Sequence, residues 1–243
     1  MKQTFLAAAI LAMLAILSCN GSGGSTSATD STKTSSVDSA KADSTAKAKV
    51  PEFKPFDVAE IKHAVKSYEK WKPGFDTDST ARKASGLELL VIGRAIDNPN
   101  NLLVVLQASD VAKAKAFAKD PRLKQVMQKN GVSSKAEVNY YHVVRFNPNS
   151  NEKQWVVINH KVKDFDAWLK VFDSEGTDKR ATFGLVDVAL ARDIDDSSMV
   201  HIVFDIKDMA KAKARINDPE LKKLMMDGGV IGAPKIEFYT SAQ

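Results

Sequence analysis

Four side chains in this chain have the type and spacing to do chemistry at neutral pH: His63, His160, Arg82 and Arg180. An imidazole titrates near neutrality and can act as a general base or a polar ligand contact. A guanidinium can hold a carboxylate or phenolate through two parallel hydrogen bonds. Each histidine sits at the head of the same short pattern, "IKHAVKSYEKW" at 61–71 and "INHKVKDFDAW" at 158–168, so Trp71 and Trp168 travel with them. Strand alternation places His63 with Ile61 and Val65, and His160 with Ile158 and Val162, on one apolar face. The sequence allows two roles for these groups: a base and anion clamp, His160 with Arg180 above all, or packing, with each His bonded to a backbone group beside its Trp and each Arg paired with a helix carboxylate such as Asp173. His63, Trp71, Arg82, Trp168 and His201 are the candidate ligand contacts. His201 shares a strand face with Asp205, where the other copy has Leu103 and Gln107.

Other chemistries find no footing. Cys19 is the one cysteine, which excludes an intrachain disulfide and a cysteine-based metal cluster. Neither an H-x-x-x-H pattern nor a carboxylate cluster at ligand spacing occurs, so no metal is expected. A G-x-S-x-G elbow, a phosphate-cradling glycine loop and a dinucleotide fingerprint are absent, and no nucleotide or other cofactor is expected. The formal charge of +5 comes from 35 Lys and Arg against 30 Asp and Glu, interspersed and without interleaved aromatics, which argues against nucleic acid.

The elements that must position these residues come in two copies. Arg82–Val132 set against Arg180–Val230 matches at 20 of 51 positions without a gap. Upstream the offset drops by one, and the two His–Trp patterns align. Each copy reads as a strand ("VAEIKHAV", "WVVINHKV"), a helix behind a capping residue, a strand pair around a polar turn, a second helix and a closing strand. Pro73-Gly74 is expected to break or shorten the first helix, which points to the second copy as the bearer of any site. "DVAKAKAFAKDPRLKQVMQKNG" is expected to kink or restart at Asp120-Pro121. Arg94 with Asp97, and Arg192 with Asp195, are expected to pair at the hairpin turns. The order in each copy is β-α-β-β-α-β, an α+β ferredoxin-like unit, over 53–146 and 147–243, joined through "RFNPNSNEKQ".

The copies, the second especially, resemble the dimeric α/β-barrel superfamily, in its antibiotic-biosynthesis-monooxygenase-like and cyclase-like branch. "HKVKDFDAWLKVF", Arg180, "RDIDD", "VHIVFDIKD" and "GAPKIEFY" carry the likeness. It implies two ferredoxin-like units packed sheet to sheet, here as a barrel within one chain, a monomer with an internal pseudo-dimer. Relatives include cofactor-free monooxygenases, haem-degrading enzymes and cyclases, so the fold implies a cavity and not a reaction.

The N-terminus sets the address. An apolar run from Phe5 to Leu17 is too short to span a bilayer and has signal-peptide length. Ile16-Leu17-Ser18-Cys19 resembles a bacterial lipobox, making 1–18 a lipoprotein signal peptide and Cys19 the lipidation site. Residues 19–52 then form a Ser/Thr/Ala/Lys tether too poor in apolar residues to fold. The expected protein is anchored in the cell envelope through acylated Cys19, on the periplasmic side. It binds a small aromatic or apolar ligand, with a monooxygenase-like or isomerase-like enzyme and a non-catalytic envelope module as alternatives.

Overall fold

The computed structural model describes residues 53–242; the expected signal peptide, lipidation site at Cys19 and tether lie outside the described residues. The first copy runs β1 (Phe56–Ala64), α1 (Tyr68–Thr77), α2 (Ser79–Ala84), β2 (Leu87–Ala95), β3 (Asn101–Ala108), α3 (Val111–Ala118), α4 (Pro121–Lys129) and β4 (Glu137–Phe146). The second repeats it as β5 (Gln154–Val162), α5 (Phe165–Glu175), α6 (Thr177–Thr182), β6 (Leu185–Asp193), β7 (Met199–Ile206), α7 (Met209–Asn217), α8 (Pro219–Asp227) and β8 (Val230–Ser241).

All neighbouring strands are antiparallel, and they close into one barrel in the order β1-β3-β2-β8-β5-β7-β6-β4. Each copy contributes a four-stranded sheet, and the edge strand of one pairs with the edge strand of the other. At one seam Gly93–Ala95 pairs with Tyr239–Ser241, and at the other Tyr141–Phe146 pairs with Ala189–Asp193. This closure satisfies the edge backbone groups that an open sheet would leave bare.

Side-chain alternation then sorts the interior into two kinds. One face of each sheet packs on its own helices. Ala59, Leu102, Val104 and Trp71 form that core in the first copy, and Val156, Val200, Phe204 and Trp168 in the second. The opposite faces meet inside the barrel, around Val58, Leu103, Tyr141, Trp155, Val157 and Tyr239.

Local signals explain most helix ends. Asp110, Asp164 and Asp208 each accept a bond from the backbone N–H three residues on, at 2.7 to 3.0 Å. Asp120 and Asp218 cap new helices with Pro121 and Pro219 at their first positions, so the long segment restarts rather than kinks.

Two expectations need correction. The α1 helix is not broken at Pro73 and is only one residue shorter than α5: it runs on to Thr77, with Trp71 and Phe75 stacked together against the sheet across the turn that the proline weakens. The turn arginines do not pair with Asp97 and Asp195. Arg94 and Arg192 donate to the carbonyls of Pro99 and Ser197, within their own turns, and lie over the rings of Tyr68 and Phe165. Asp195 instead meets Lys115.

Candidate functional site

In the first copy, β1 turns His63 toward the helices, where its ring lies 5.5 Å from that of Trp71 on α1. The six-residue α2 carries Arg82, which passes over the ring of Phe75 at 3.6 Å and donates from Nη1 to the Phe75 carbonyl at 2.6 Å. These three residues, with Phe75, Val104 and Met127, line an apolar cavity of about 120 Å³ between sheet and helices.

His63 is 7 % exposed, and neither ring nitrogen has a hydrogen-bond partner among the described residues. Burial lowers its pKa to about 4, so the imidazole is neutral at pH 7. An orphaned buried polar group is rare and calls for an explanation.

The second copy repeats the arrangement with less room. His160 stands 5.3 Å from Trp168, its nitrogens likewise without partners and its pKa lowered by burial to about 4. The cavity shared by His160, Trp168 and Arg180 is about 80 Å³. Ile216 replaces Ala118 there, and Arg215 replaces Phe117. Arg215 is tied to Glu175 and to Asp218.

Arg180 is held on three sides. Nε and Nη2 donate to the two oxygens of Asp187 at 2.8 and 2.6 Å, and Nη1 donates to the Phe172 carbonyl at 2.8 Å. Its partner is therefore Asp187 on β6, not Asp173, which pairs with Arg145.

His201 lies apart from both cavities, inside the barrel. Its Nδ1 donates to Asn159 Oδ1 at 2.8 Å, Nε2 stands 3.7 Å from Glu60 Oε2, and its ring stacks on Tyr141 at 4.3 Å. Burial pushes its pKa down, against the pull of Glu60. Lys62 bridges the pocket of charge: its Nζ is 2.5 Å from Glu237 and 3.1 Å from Glu60 Oε1, the latter an ion-pair contact whose angles fall short of a hydrogen bond. Burial alone would lower Lys62, but the charges of Glu60 and Glu237 outweigh it and hold the ammonium above its ordinary pKa. Burial, reinforced by Glu60 and Glu237, pushes the phenols of Tyr141 and Tyr239 up.

The structure thus brings His63, Trp71 and Arg82 together at one cavity and His160, Trp168 and Arg180 at another, while His201 joins neither. Glu60, Lys62, Glu237 and Tyr141 were missed by sequence reasoning. A signal existed: on barrel-facing positions the copies disagree, Glu60 against Val157, Lys62 against Asn159 and Leu103 against His201. The repeated residues build each half, and the unrepeated Glu60, Lys62, His201 and Glu237 meet between the halves, beside Tyr141 and its counterpart Tyr239.

No family profile matches the chain, and no curated protein matches it. Solved structures do. An anthrone oxidase-like protein superposes with a TM-score of 0.51 at 10 % identity, over 77 % of this chain and 92 % of its own. A candidate monooxygenase from Fusobacterium nucleatum gives 0.50 at 12 %, over 78 % and 93 %. At such identities the likeness is one of fold, and it accords with two ferredoxin-like repeats closed as an α/β barrel.

Proposed function

We propose that this protein holds a small aromatic or apolar molecule in the helix-side cavity of its first repeat. The observation that carries the reading is His63, a neutral imidazole with both nitrogens orphaned at the wall of an apolar cavity. Leaving a buried polar group unbonded costs about 1–3 kcal/mol, which a phenylalanine packed on Trp71 would avoid. A ligand hydroxyl or amide bonded to His63 removes that cost. The size is that of a single ring, since an engineered apolar cavity of about 150 Å³ accepts benzene.

The first repeat is favoured over the second for two reasons. Its cavity is the larger, and the unbroken α1 helix removes the ground for preferring the second. Calorimetric titration of the full chain with phenol tests the reading. Ala118→Ile, which imports the second repeat's Ile216, is expected to abolish binding, and His63→Phe to weaken it by roughly three- to tenfold. Absence of phenol binding, or binding indifferent to Ala118→Ile, would contradict it.

We also propose that acylated Cys19 ties the protein to a cell membrane on its periplasmic side. The lipobox-like "ILSC" behind an apolar run supports this. Mass spectrometry of the mature N-terminus is expected to find lipid on Cys19. An unmodified Cys19 in membrane-associated protein would overturn the proposal.

A further inference from the structure

Resting on that reading, we infer that the ligand of the first repeat is an anion, an aromatic or cyclic carboxylate whose charged group binds the Nε–Nη2 edge of Arg82. Arg82 and Arg180 differ in what they meet. Arg180 is saturated: Asp187 takes its Nε and Nη2, and Phe172 takes its Nη1. Arg82 keeps the backbone bond, to the equivalent Phe75, and the ring contact as well. The strand carboxylate is what it lacks.

Leu89 stands where Asp187 stands. The two residues pair with equivalent partners, Leu106 and Phe204, and both precede the β-bulge of their strands. Among the described residues the nearest carboxylate oxygen to Arg82 belongs to Asp78, at 3.8 Å from Nη1, too far for a hydrogen bond. Arg82 as a residue is 7 % exposed and lines the cavity, and its Nε and Nη2 meet no acceptor among the described residues. A guanidinium edge that meets no protein acceptor beside an apolar cavity suits a carboxylate, which it can hold through two charge-assisted bonds.

The second repeat thus contains, as Asp187, a built-in likeness of the group that the first repeat would take from a ligand. The apolar wall would take the ligand's ring and Arg82 its carboxylate. Benzoate has this chemistry, and phenol carries the ring without it.

The test supplies the missing carboxylate from within. Leu89 is 40 % exposed and lies outside the cavity lining, so Leu89→Asp places a charge beside Arg82 without filling the cavity. Leu89→Asn makes the same change in shape without the charge. Calorimetry on the full chain is expected to find benzoate bound about tenfold or more tighter than phenol. Leu89→Asp is expected to remove that advantage and leave phenol within about twofold, as one lost charge-assisted bond pair predicts. Leu89→Asn is expected to preserve it. Phenol binding with no preference for benzoate, or equal effects of Asp and Asn at position 89, overturns the inference while leaving the cavity reading intact. Loss of binding to both compounds in the unaltered chain overturns both.

Discussion

His63 and His160 make a demand on pH that their packing cannot hide. Each has a folded pKa of about 4 against an ordinary 6.5, so between those values the unfolded chain binds more protons than the folded one. Stability from these two groups is undiminished above pH 6.5 and falls as pH drops toward 4, by roughly 3 kcal/mol for each histidine. The double variant His63→Phe/His160→Phe is expected to lose much less stability between pH 7 and pH 4.5, measured as urea midpoints. Equal acid sensitivity in both proteins would mean that the rings are not buried as described. At this scale the sequence spoke clearly about which residues repeat. It was silent on hydrogen bonding, because whether an imidazole finds a partner depends on which carbonyls the helices bring past it. His160 and His63 ended up beside their tryptophans, as packing would have it, yet without the backbone partner that packing was expected to supply.

The helices α1 and α5 differ at Pro73, whose counterpart is Lys170. A proline within a helix removes one backbone bond and crowds the preceding turn, at a cost of about 3 kcal/mol in an isolated helix. Here α1 persists because Trp71 and Phe75 are anchored in the core, an effect of tertiary packing that no local rule could foresee. Pro73→Ala is accordingly expected to raise stability by about 1–3 kcal/mol in urea denaturation. No gain would indicate that the proline geometry is part of the packing. The long helices and their restarts at Asp120 and Asp218 were legible from caps and prolines. The short α2 and α6 were not, since six residues cannot display a helical period, and yet they carry Arg82 and Arg180. The glycines that follow, Gly86 and Gly184, both take φ of +73°, a left-handed turn that delivers each chain into its next strand.

At the scale of the molecule, the duplication has produced two halves that are no longer interchangeable. Glu137 and Lys235 occupy equivalent positions and face each other at 3.5 Å, a pairing that two identical halves could not make. Lys62 and Glu237 also join the halves, at non-equivalent positions whose counterparts are Asn159 and Asn139. Lys62→Met strands Glu60, which is 1 % exposed, and is expected to cost about 3–5 kcal/mol. Glu60→Val/Lys62→Asn, which copies Val157 and Asn159, is expected to recover half or more of that loss; a double variant as damaged as the single one would refute a charge-pair origin. The internal repeat made the two-unit architecture readable, whereas the closure of β2 on β8 and β4 on β6 was not encoded in either copy taken alone. For the account as a whole, the decisive measurement is the ring nitrogen NMR spectrum of the four histidines in the full chain during a phenol titration. A saturable shift confined to His63, with His142, His160 and His201 unmoved, is the predicted result; a shift at His160 alone, or at none of the four, would contradict a ligand site in the first repeat.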